Sequence, residues 1–411
     1  MKKPVRVCCS TTNNIFMNPG GNTVAGTSLV VFPFKSEDVA VFKKNIREAL
    51  SHPRIGSVLC VGYEENECYK EIEKAIPELE RSSGKRVGLI VQERLGTKRP
   101  GKGDGMNTAL KYFLEETGFS RLHFYDSDIE TFSRDWITQA EIPADDGYQV
   151  VRHYFPRAST DAMVTWMITK TGFSVLWPET ELPFIEQPLG GELLFTREVA
   201  AKLYADERAL RQSDWGIDTA YTWLMVASGF SMYETYVSIG KVHKLYKTLA
   251  DLQDMAIECF SIIQQLKTEK INAARPLHHV ERPGPVPDRV KEKTAYDIEG
   301  SLHLLMENWT DRQLELLSLF PKEVREGMAE CQRKPRFVFM DADNWYESYK
   351  VLLEHFDSED KDWRDLLFKL WIARVLNYTT KVALKGYDYA LFYLYRMIEG
   401  FVRMSKRKEE A

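Results

Sequence analysis

The chain has 411 residues, a formal net charge of −5 and a hydrophobic content of 44%. This length exceeds what one hydrophobic core usually organises, so we expect two structural units, and the acidic balance argues against nucleic acid as a partner. No apolar run approaches the roughly 20 residues of a membrane span, so we expect no membrane partner either.

The start of the chain and the cysteines bear on localisation. The cysteines show neither a C-x-x-C pair nor zinc spacing, so we interpret them as reduced thiols of a cytoplasmic protein. They are Cys8, Cys9, Cys60, Cys68, Cys259 and Cys331. Residues 1–27 are expected to form a disordered extension. Because residues 1–36 contain no acidic residue, organelle targeting is the alternative for this extension.

From Ser28 onward, short apolar runs alternate with helical stretches. The runs are LVVFPF, SVLCVGY, VGLIVQ and RLHFYDSD. This alternation is typical of βαβ units, so it predicts an α/β fold with a Rossmann-like sheet, which we assign to residues 28–250.

Residues 251–411 are predicted to form a mainly α-helical C-terminal domain. Helical periodicity covers 251–270, 302–319 and 363–404. The stretch ARPLHHVERPGPVPDR contains four prolines and is the predicted linker, because proline breaks both helix and strand. Many aromatic side chains in this half suit an interface, and we expect a homo-oligomer.

Candidate ligand-binding residues stand at the ends of the first four predicted strands, where ligands collect in open α/β sheets. They are Pro33, Phe34 and Lys35, then Tyr63, then Gln92, then Asp126, Ser127 and Asp128. The last three form a D-x-D sequence, whose carboxylates can hold a divalent cation that bridges a diphosphate. A second D-x-D, Asp341 to Asp343, lacks this setting, and helix capping explains it.

The loop RLGTKRPGKGDGMN precedes a helix predicted to begin at Met106. Its glycines allow close approach of a ligand, and Lys102 can contact phosphate, although the G-K-[ST] ending of a Walker A loop is missing. The alternative is a flexible basic surface loop. Since the D-x-D sequence follows, we favour a diphosphate site.

Further downstream, Arg157 and Asp161 lie near a helix predicted to begin at Ser159, where a guanidinium and helix amides suit a carboxylate ligand. A salt-bridged helix cap is the alternative. Three later motifs supply Leu189, Trp215, Asp218, His243 and Tyr246 as further candidates. His243 can complete the coordination of a metal held by the D-x-D sequence.

These motifs in this order resemble the mannosylglycerate synthases, which are single-step retaining glycosyltransferases of the GT-A fold. The matching segments are SLVVFPFK, VLCVGYE, QERLGTKRPGKGDGMNTAL, HFYDSD, VRHYFPRASTDAM, WMITKTGF, EQPLGGELL, SDWGIDT and GKVHKLY, followed by VLLEHF, LLFKLW and GYDYA. The resemblance implies transfer from GDP-mannose to D-glycerate, giving 2-O-α-mannosyl-D-glycerate. The implied cofactor is Mg²⁺ or Mn²⁺, with Ca²⁺ as a further candidate.

The resemblance also implies roles for individual residues. Donor contacts fall on Pro33, Phe34, Lys35, Tyr63, Gln92, Lys102, Asp126, Ser127, Asp128, Leu189, Asp218 and Tyr246; acceptor contacts on Arg157, Asp161 and Thr165; and metal ligands on Asp128 and His243. Lys102, Asp126 and Asp218 are the expected catalytic residues. The favoured mechanism is front-face transfer, because no clear nucleophile is present.

Two features depart from the family. The extension before Ser28 is longer than the family needs, and Ser127 replaces a small apolar residue. The alternatives to the proposed reaction are a related donor or acceptor, such as GDP-glucose, lactate or glycolate, and a non-catalytic scaffold. A nucleotidyltransferase is disfavoured, because its glycine-rich loop should follow the first strand.

Overall fold

The computed structural model describes residues 26–243, 249–271, 277–291 and 295–409. Within these ranges the strands form one eight-stranded sheet. The strands are β1 Ser28–Phe34, β2 Ile55–Gly62, β3 Arg86–Val91, β4 Arg121–Phe124, β5 Val150–Tyr154, β6 Leu193–Thr196, β7 Met232–Tyr236 and β8 His278–Val280.

The sheet has the order β3-β2-β1-β4-β6-β5-β7-β8. Strand β6 runs antiparallel to both neighbours, and the remaining neighbouring pairs are parallel. Since β1, β2, β3 and β4 are mutually parallel, their carboxyl ends meet at one edge. The predicted α/β fold with a Rossmann-like mixed sheet is confirmed.

Helices cover the sheet and form most of the chain after β7. They are α1 Val39–Ser51, α2 Glu67–Ser83, α3 Lys102–Glu116, α4 Arg134–Asp145, α5 Thr171–Leu176, α6 Arg197–Ala205, α7 Glu207–Leu210, α8 Gly216–Ala227, α9 Gln253–Gln265, α10 Asp288–Lys291, α11 Ile298–Met306, α12 Asp311–Leu316, α13 Lys322–Cys331, α14 Ala342–His355, α15 Lys361–Val382 and α16 Tyr387–Glu409. A π-helix spans Thr165–Lys170, and short 3₁₀ turns span Leu182–Phe184, Leu249–Leu252 and Leu317–Leu319. The predicted helical C-terminal region is confirmed.

Three local predictions were wrong. The proline-rich stretch is not wholly irregular, because β8 within it pairs with β7 and forms one edge of the sheet. Helix α3 begins at Lys102 rather than Met106. The helix expected at Ser159 begins at Met163, since Ala162 has φ 57°, a left-handed conformation that a right-handed helix cannot contain.

The helical half holds the π-helix in place. Trp345 Nε1 donates to the Met167 carbonyl at 3.0 Å, and the Tyr349 hydroxyl donates to the Ile168 carbonyl at 2.9 Å. Both aromatic side chains are fully buried, so they satisfy backbone acceptors inside the core. The same core cluster contains side chains from both halves of the chain. The predicted boundary between residues 250 and 251 stays a prediction.

Other expectations concern thiols and membranes. Cys60, Cys68, Cys259 and Cys331 are free thiols, as predicted, and all four are buried, whereas Cys8 and Cys9 lie outside the described residues. In the part of the chain that the structure describes, no helix combines the length and apolar character needed to span a membrane.

Candidate active site

A cleft of about 1020 Å³ opens at the carboxyl ends of β1 to β4. It brings together the predicted residues Pro33, Phe34, Lys35, Tyr63, Gln92, Lys102, Asp126, Ser127, Asp128, Arg157, Asp161, Thr165, Leu189 and His243. Asp218 lies beneath this lining and contacts Lys102. Tyr246 lies outside the described residues. The resemblance therefore selected residues from distant parts of the chain that share one cavity.

One end of the cleft is built from the ends of β1, β2 and β3. The Tyr63 amide donates to the Phe34 carbonyl, and the Gln92 amide donates to the Gly62 carbonyl, so both side chains follow directly from the sheet. Lys35 Nζ lies 4.7 Å from the centre of the Tyr63 ring, a cation–π contact. This end offers an aromatic face, an amide and a cation within one wall.

The D-x-D loop is fixed by its middle residue. Ser127 Oγ donates to the Pro33 carbonyl at 3.0 Å, and Asn45 Nδ2 donates to the carbonyls of Ser127 and Ile129. These bonds tie the loop to β1 and α1. Ser127, which departs from the family pattern, is therefore held by a hydrogen bond at its position between the two carboxylates of the D-x-D sequence.

Alternating charges cross the floor of the cleft, and we call them the floor network: Asp218, Lys102, Asp126, Lys241 and Glu192. Lys102 Nζ lies 2.8 Å from Asp218 Oδ2 and 3.9 Å from Asp126 Oδ1. Lys241 Nζ contacts Asp126 Oδ2 and lies 2.6 Å from Glu192 Oε1. Each lysine thus joins two carboxylates.

Burial and charge set the ionisation of the floor network. Burial alone would raise the pKa of Asp126, but Lys241 and Lys102 hold it below its ordinary value. Burial would lower the pKa of Lys102, but Asp218 and Asp126 raise it above its ordinary value. Asp126 and Lys102 are therefore charged at neutral pH.

Gly191 leaves room for the charged side chains of the floor network to lie close to the backbone. A Cβ atom at this position would lie 2.9 Å from both Asp126 Oδ1 and Lys102 Nζ, which is closer than carbon approaches either atom. Any larger residue would push the carboxylate and the ammonium aside. The glycine pair in QPLGGELL is thus explained in part by close approach at the site.

Asp128 and His243 both line the cleft and are the predicted metal ligands. Burial, with Lys241 and Arg157 nearby, lowers the pKa of His243 to about 4, so its imidazole is neutral at pH 7 and retains a lone pair for a metal. Among the residues described, no three acidic, histidine or cysteine side chains form a metal cluster. A carboxylate and a neutral imidazole suit a cation whose remaining ligands come from a bound diphosphate.

The other end of the cleft carries the predicted acceptor residues. Arg157 Nη1 lies 3.2 Å from Asp161 Oδ2, and the Arg157 guanidinium lies 4.8 Å from the Phe155 ring centre. The Arg157 Nε atom is buried with no hydrogen-bond partner in the described chain. Thr165, the first residue of the π-helix, is buried beside them. This end offers a guanidinium with unused donors.

Two charged residues of the cleft were missed by the sequence analysis. Glu192 follows the glycine pair of QPLGGELL, and Lys241 lies two residues before His243 in GKVHKLY. Both belong to motifs that resemble the family, and this resemblance is the signal that could have identified them. Neither stands in a spacing that indicates contact with Asp126, because the contact depends on how β6 and the segment after β7 pack.

Two family models match most of this chain. The model of the glycosyltransferase domain of mannosylglycerate synthase matches residues 28–265, and the model of the mannosylglycerate synthase C-terminal domain matches residues 290–398.

Relatives match over nearly the whole chain. The mannosylglycerate synthase of Rhodothermus marinus is 60% identical over 371 residues, which cover 90% of this chain and 93% of that protein. That of Selaginella moellendorffii is 53% identical over 366 residues, covering 89% and 87%. Among solved structures, glucosyl-3-phosphoglycerate synthase from Mycobacterium tuberculosis has a TM-score of 0.47 and 17% identity, covering 62% of this chain and 88% of that one.

Proposed function

This chain belongs to the mannosylglycerate synthase family, and from that premise we propose that it transfers mannose from GDP-mannose to D-glycerate, forming 2-O-α-mannosyl-D-glycerate with retention of the α configuration. The observation that carries the proposal is that the donor-type and acceptor-type residues line one cleft, together with the charged floor network. A transferase needs both substrates within reach of each other.

The donor nucleotide is assigned to the end formed by β1, β2 and β3. Tyr63 and Phe34 give apolar surface for the base and ribose, and Gln92 gives hydrogen bonds that distinguish one base from another. The Lys35 ammonium lies over the Tyr63 ring and places a cation at this end. These features suit a nucleoside diphosphate.

The diphosphate is assigned to the space between the D-x-D loop and α3. Asp128 and His243 are the proposed protein ligands of Mg²⁺ or Mn²⁺, which when bound neutralises the diphosphate and stabilises it as a leaving group. Lys102 contributes a second positive charge from the first turn of α3, where helix amides also favour an anion. Tyr246 is proposed as a further phosphate contact.

The sugar is assigned to the floor near Leu189 and Asp218. Asp218 Oδ2 accepts from Lys102, while Asp218 Oδ1 is buried and lacks a hydrogen-bond partner within the described ranges. A buried unpaired carboxylate oxygen is costly unless a ligand donates to it. A hydroxyl group of the bound sugar supplies that donor in our proposal.

The acceptor is assigned to Arg157, Asp161 and Thr165. Arg157 uses only one of its terminal nitrogens on Asp161, so its remaining donors can bind the glycerate carboxylate. This pairing aims the 2-hydroxyl at the anomeric carbon. In front-face transfer, the departing diphosphate oxygen takes the proton of that hydroxyl, and Lys102 stabilises the charge that develops there.

The test incubates the purified protein with GDP-mannose, D-glycerate and Mg²⁺ or Mn²⁺ and follows both GDP and product by mass spectrometry. We expect a mannosylglycerate mass that requires both substrates and disappears with EDTA. GDP-glucose, lactate and glycolate run in parallel measure donor and acceptor strictness. Release of GDP without dependence on glycerate would contradict the acceptor assignment, and no GDP release from any donor would favour the non-catalytic scaffold.

A matched pair of variants tests the acceptor end. Arg157→Lys keeps a positive charge but loses the planar fork, so KM for glycerate is expected to rise more than tenfold while KM for GDP-mannose changes little. Arg289→Lys, at a surface position near the cleft, is the control. An equal rise in both KM values for Arg157→Lys would contradict the assignment of this residue to the acceptor.

The remaining expectations concern cellular location, assembly and the N-terminal extension. A cytoplasmic location, a homo-oligomeric state and the role of residues 1–27 stay predictions.

A further inference from the structure

Lys241 and Glu192 lie in the floor network, and the proposed reaction assigns neither of them a role. The side chain of Glu192 is 0% exposed and that of Lys241 is 5% exposed, whereas Asp126 is 33% exposed toward the cleft. Glu192 Oε2 has no hydrogen-bond partner anywhere in the described chain. A fully buried carboxylate with an unused oxygen is an expensive feature to keep in a core.

The geometry around Lys241 is that of a cation site. One ammonium nitrogen contacts oxygens of two carboxylates from different elements: Asp126 after β4 and Glu192 just before β6. Two carboxylates that share one cation are the arrangement that also attracts a divalent metal. His243, only two residues further along, lines the same cleft.

We propose that Lys241 is a tethered second cation of the donor site: its ammonium fills the position between Asp126 and Glu192, and it thereby confines the divalent metal to Asp128 and His243. Lys241 is a positioning residue in this account, because it acts through Asp126. The inference rests on the proposed function for the place of the metal, and it gives the two carboxylates of the D-x-D sequence different roles.

Two consequences follow from the contacts. With Lys241 in place, Asp126 is committed to an ammonium and keeps one orientation, and the metal is assigned to Asp128 and His243 as proposed above. Without the ammonium but with its space left open, Asp126 and the buried Glu192 would face each other with no cation between them, and Lys102 would be the remaining ammonium beside Asp126. That space would then take a divalent ion or would destabilise the fold.

The experiment counts bound Mn²⁺ per chain by equilibrium dialysis in the presence of GDP. Lys241→Ala removes the charge and leaves space, whereas Lys241→Met removes the charge and fills the space with an apolar chain. We expect Lys241→Ala to bind one Mn²⁺ more than the wild-type protein and Lys241→Met to bind no more than it. Adding Glu192→Gln to Lys241→Ala is expected to abolish the extra ion.

An equal Mn²⁺ count in Lys241→Ala and the wild-type protein would overturn the proposal, and so would an extra ion in Lys241→Met. If Lys241→Ala unfolds easily, Mn²⁺ should raise its melting temperature by more than it raises that of the wild-type protein, and no such difference would also overturn the proposal. Failure of the wild-type protein to make mannosylglycerate would contradict the proposed function alone, because the metal count compares variants without substrate turnover.

Discussion

The two D-x-D sequences of this chain have opposite surroundings. Asp126 and Asp128 follow a buried strand at an edge where three other strands end, and both line the cleft. Asp341 accepts a hydrogen bond from the Asn344 amide at 3.0 Å and caps α14, while Asp343 is exposed in its first turn. The same kind of triplet lines a cleft in one place and caps a helix in the other, so the structural setting distinguishes the two.

The largest expected contrast lies between Asp128→Ala and Asp343→Ala. Loss of a metal ligand removes several kcal/mol of charge stabilisation, so we expect Asp128→Ala to lower kcat/KM for GDP-mannose about 10³-fold. Asp343→Ala should leave it unchanged. Steady-state kinetics with mass-spectrometric detection of product provides the measurement. Comparable losses of kcat/KM in both variants would contradict the expected difference between the two D-x-D sequences.

The lysine beside the first triplet should give the next largest effect. Lys102→Met removes the ammonium that faces Asp126 and Asp218, and we expect kcat to fall about 10²-fold because charge on the leaving diphosphate is less stabilised. Lys98→Met, in the same loop, is the control. Thermal unfolding is measured for the same variants. If Lys102→Met is unfolded, its loss of activity does not support a role for Lys102 in the reaction.

Substitution in the second D-x-D sequence is expected to change the stability of the protein and not its activity. Asp341→Ala removes the N-cap of α14, and a lost cap costs about 1–2 kcal/mol of unfolding free energy. Urea unfolding measures this cost, and activity per folded molecule should be unchanged. A drop in Mn²⁺ affinity in this variant would show that the helical triplet also takes part in metal binding.

The smallest effect is expected for the residue inside the first triplet. Ser127→Ala removes the hydrogen bond to the Pro33 carbonyl, which contributes about 0.5–1 kcal/mol. We expect activity to change by less than about threefold, since Ser127 supports the loop and the flanking carboxylates are the proposed ligand contacts. A loss as large as that of Asp128→Ala would assign Ser127 a direct role.

Much of this comparison could be predicted from the sequence. The order of apolar runs predicted parallel strands, and parallel strands place their carboxyl ends together, so Tyr63, Gln92 and Asp126 were expected at one edge. No series of predicted strands precedes Asp341, so the sequence indicates that this residue caps a helix. Periodicity and turn chemistry are local signals, and these assignments depended on them.

The parts that the sequence did not predict depend on tertiary packing. Helix α3 begins at Lys102, and its second residue, Gly103, packs so closely against the Gln212 carbonyl that a Cβ atom would lie 2.3 Å away; no local signal reports that neighbour. The short strand β8 forms because β7 offers backbone hydrogen-bonding groups on the side that faces away from β5. Lys241 and Glu192 meet only through the antiparallel placement of β6.

The most direct test of the contrast is Mn²⁺ affinity with GDP present, measured by titration calorimetry on the wild-type protein, Asp128→Ala, and a double variant, Asp341→Ala with Asp343→Ala. The account predicts binding to the wild-type protein and to the double variant with the same affinity, and a loss of at least about 10²-fold in Asp128→Ala. Undiminished binding in Asp128→Ala, or lost binding in the double variant, would contradict it.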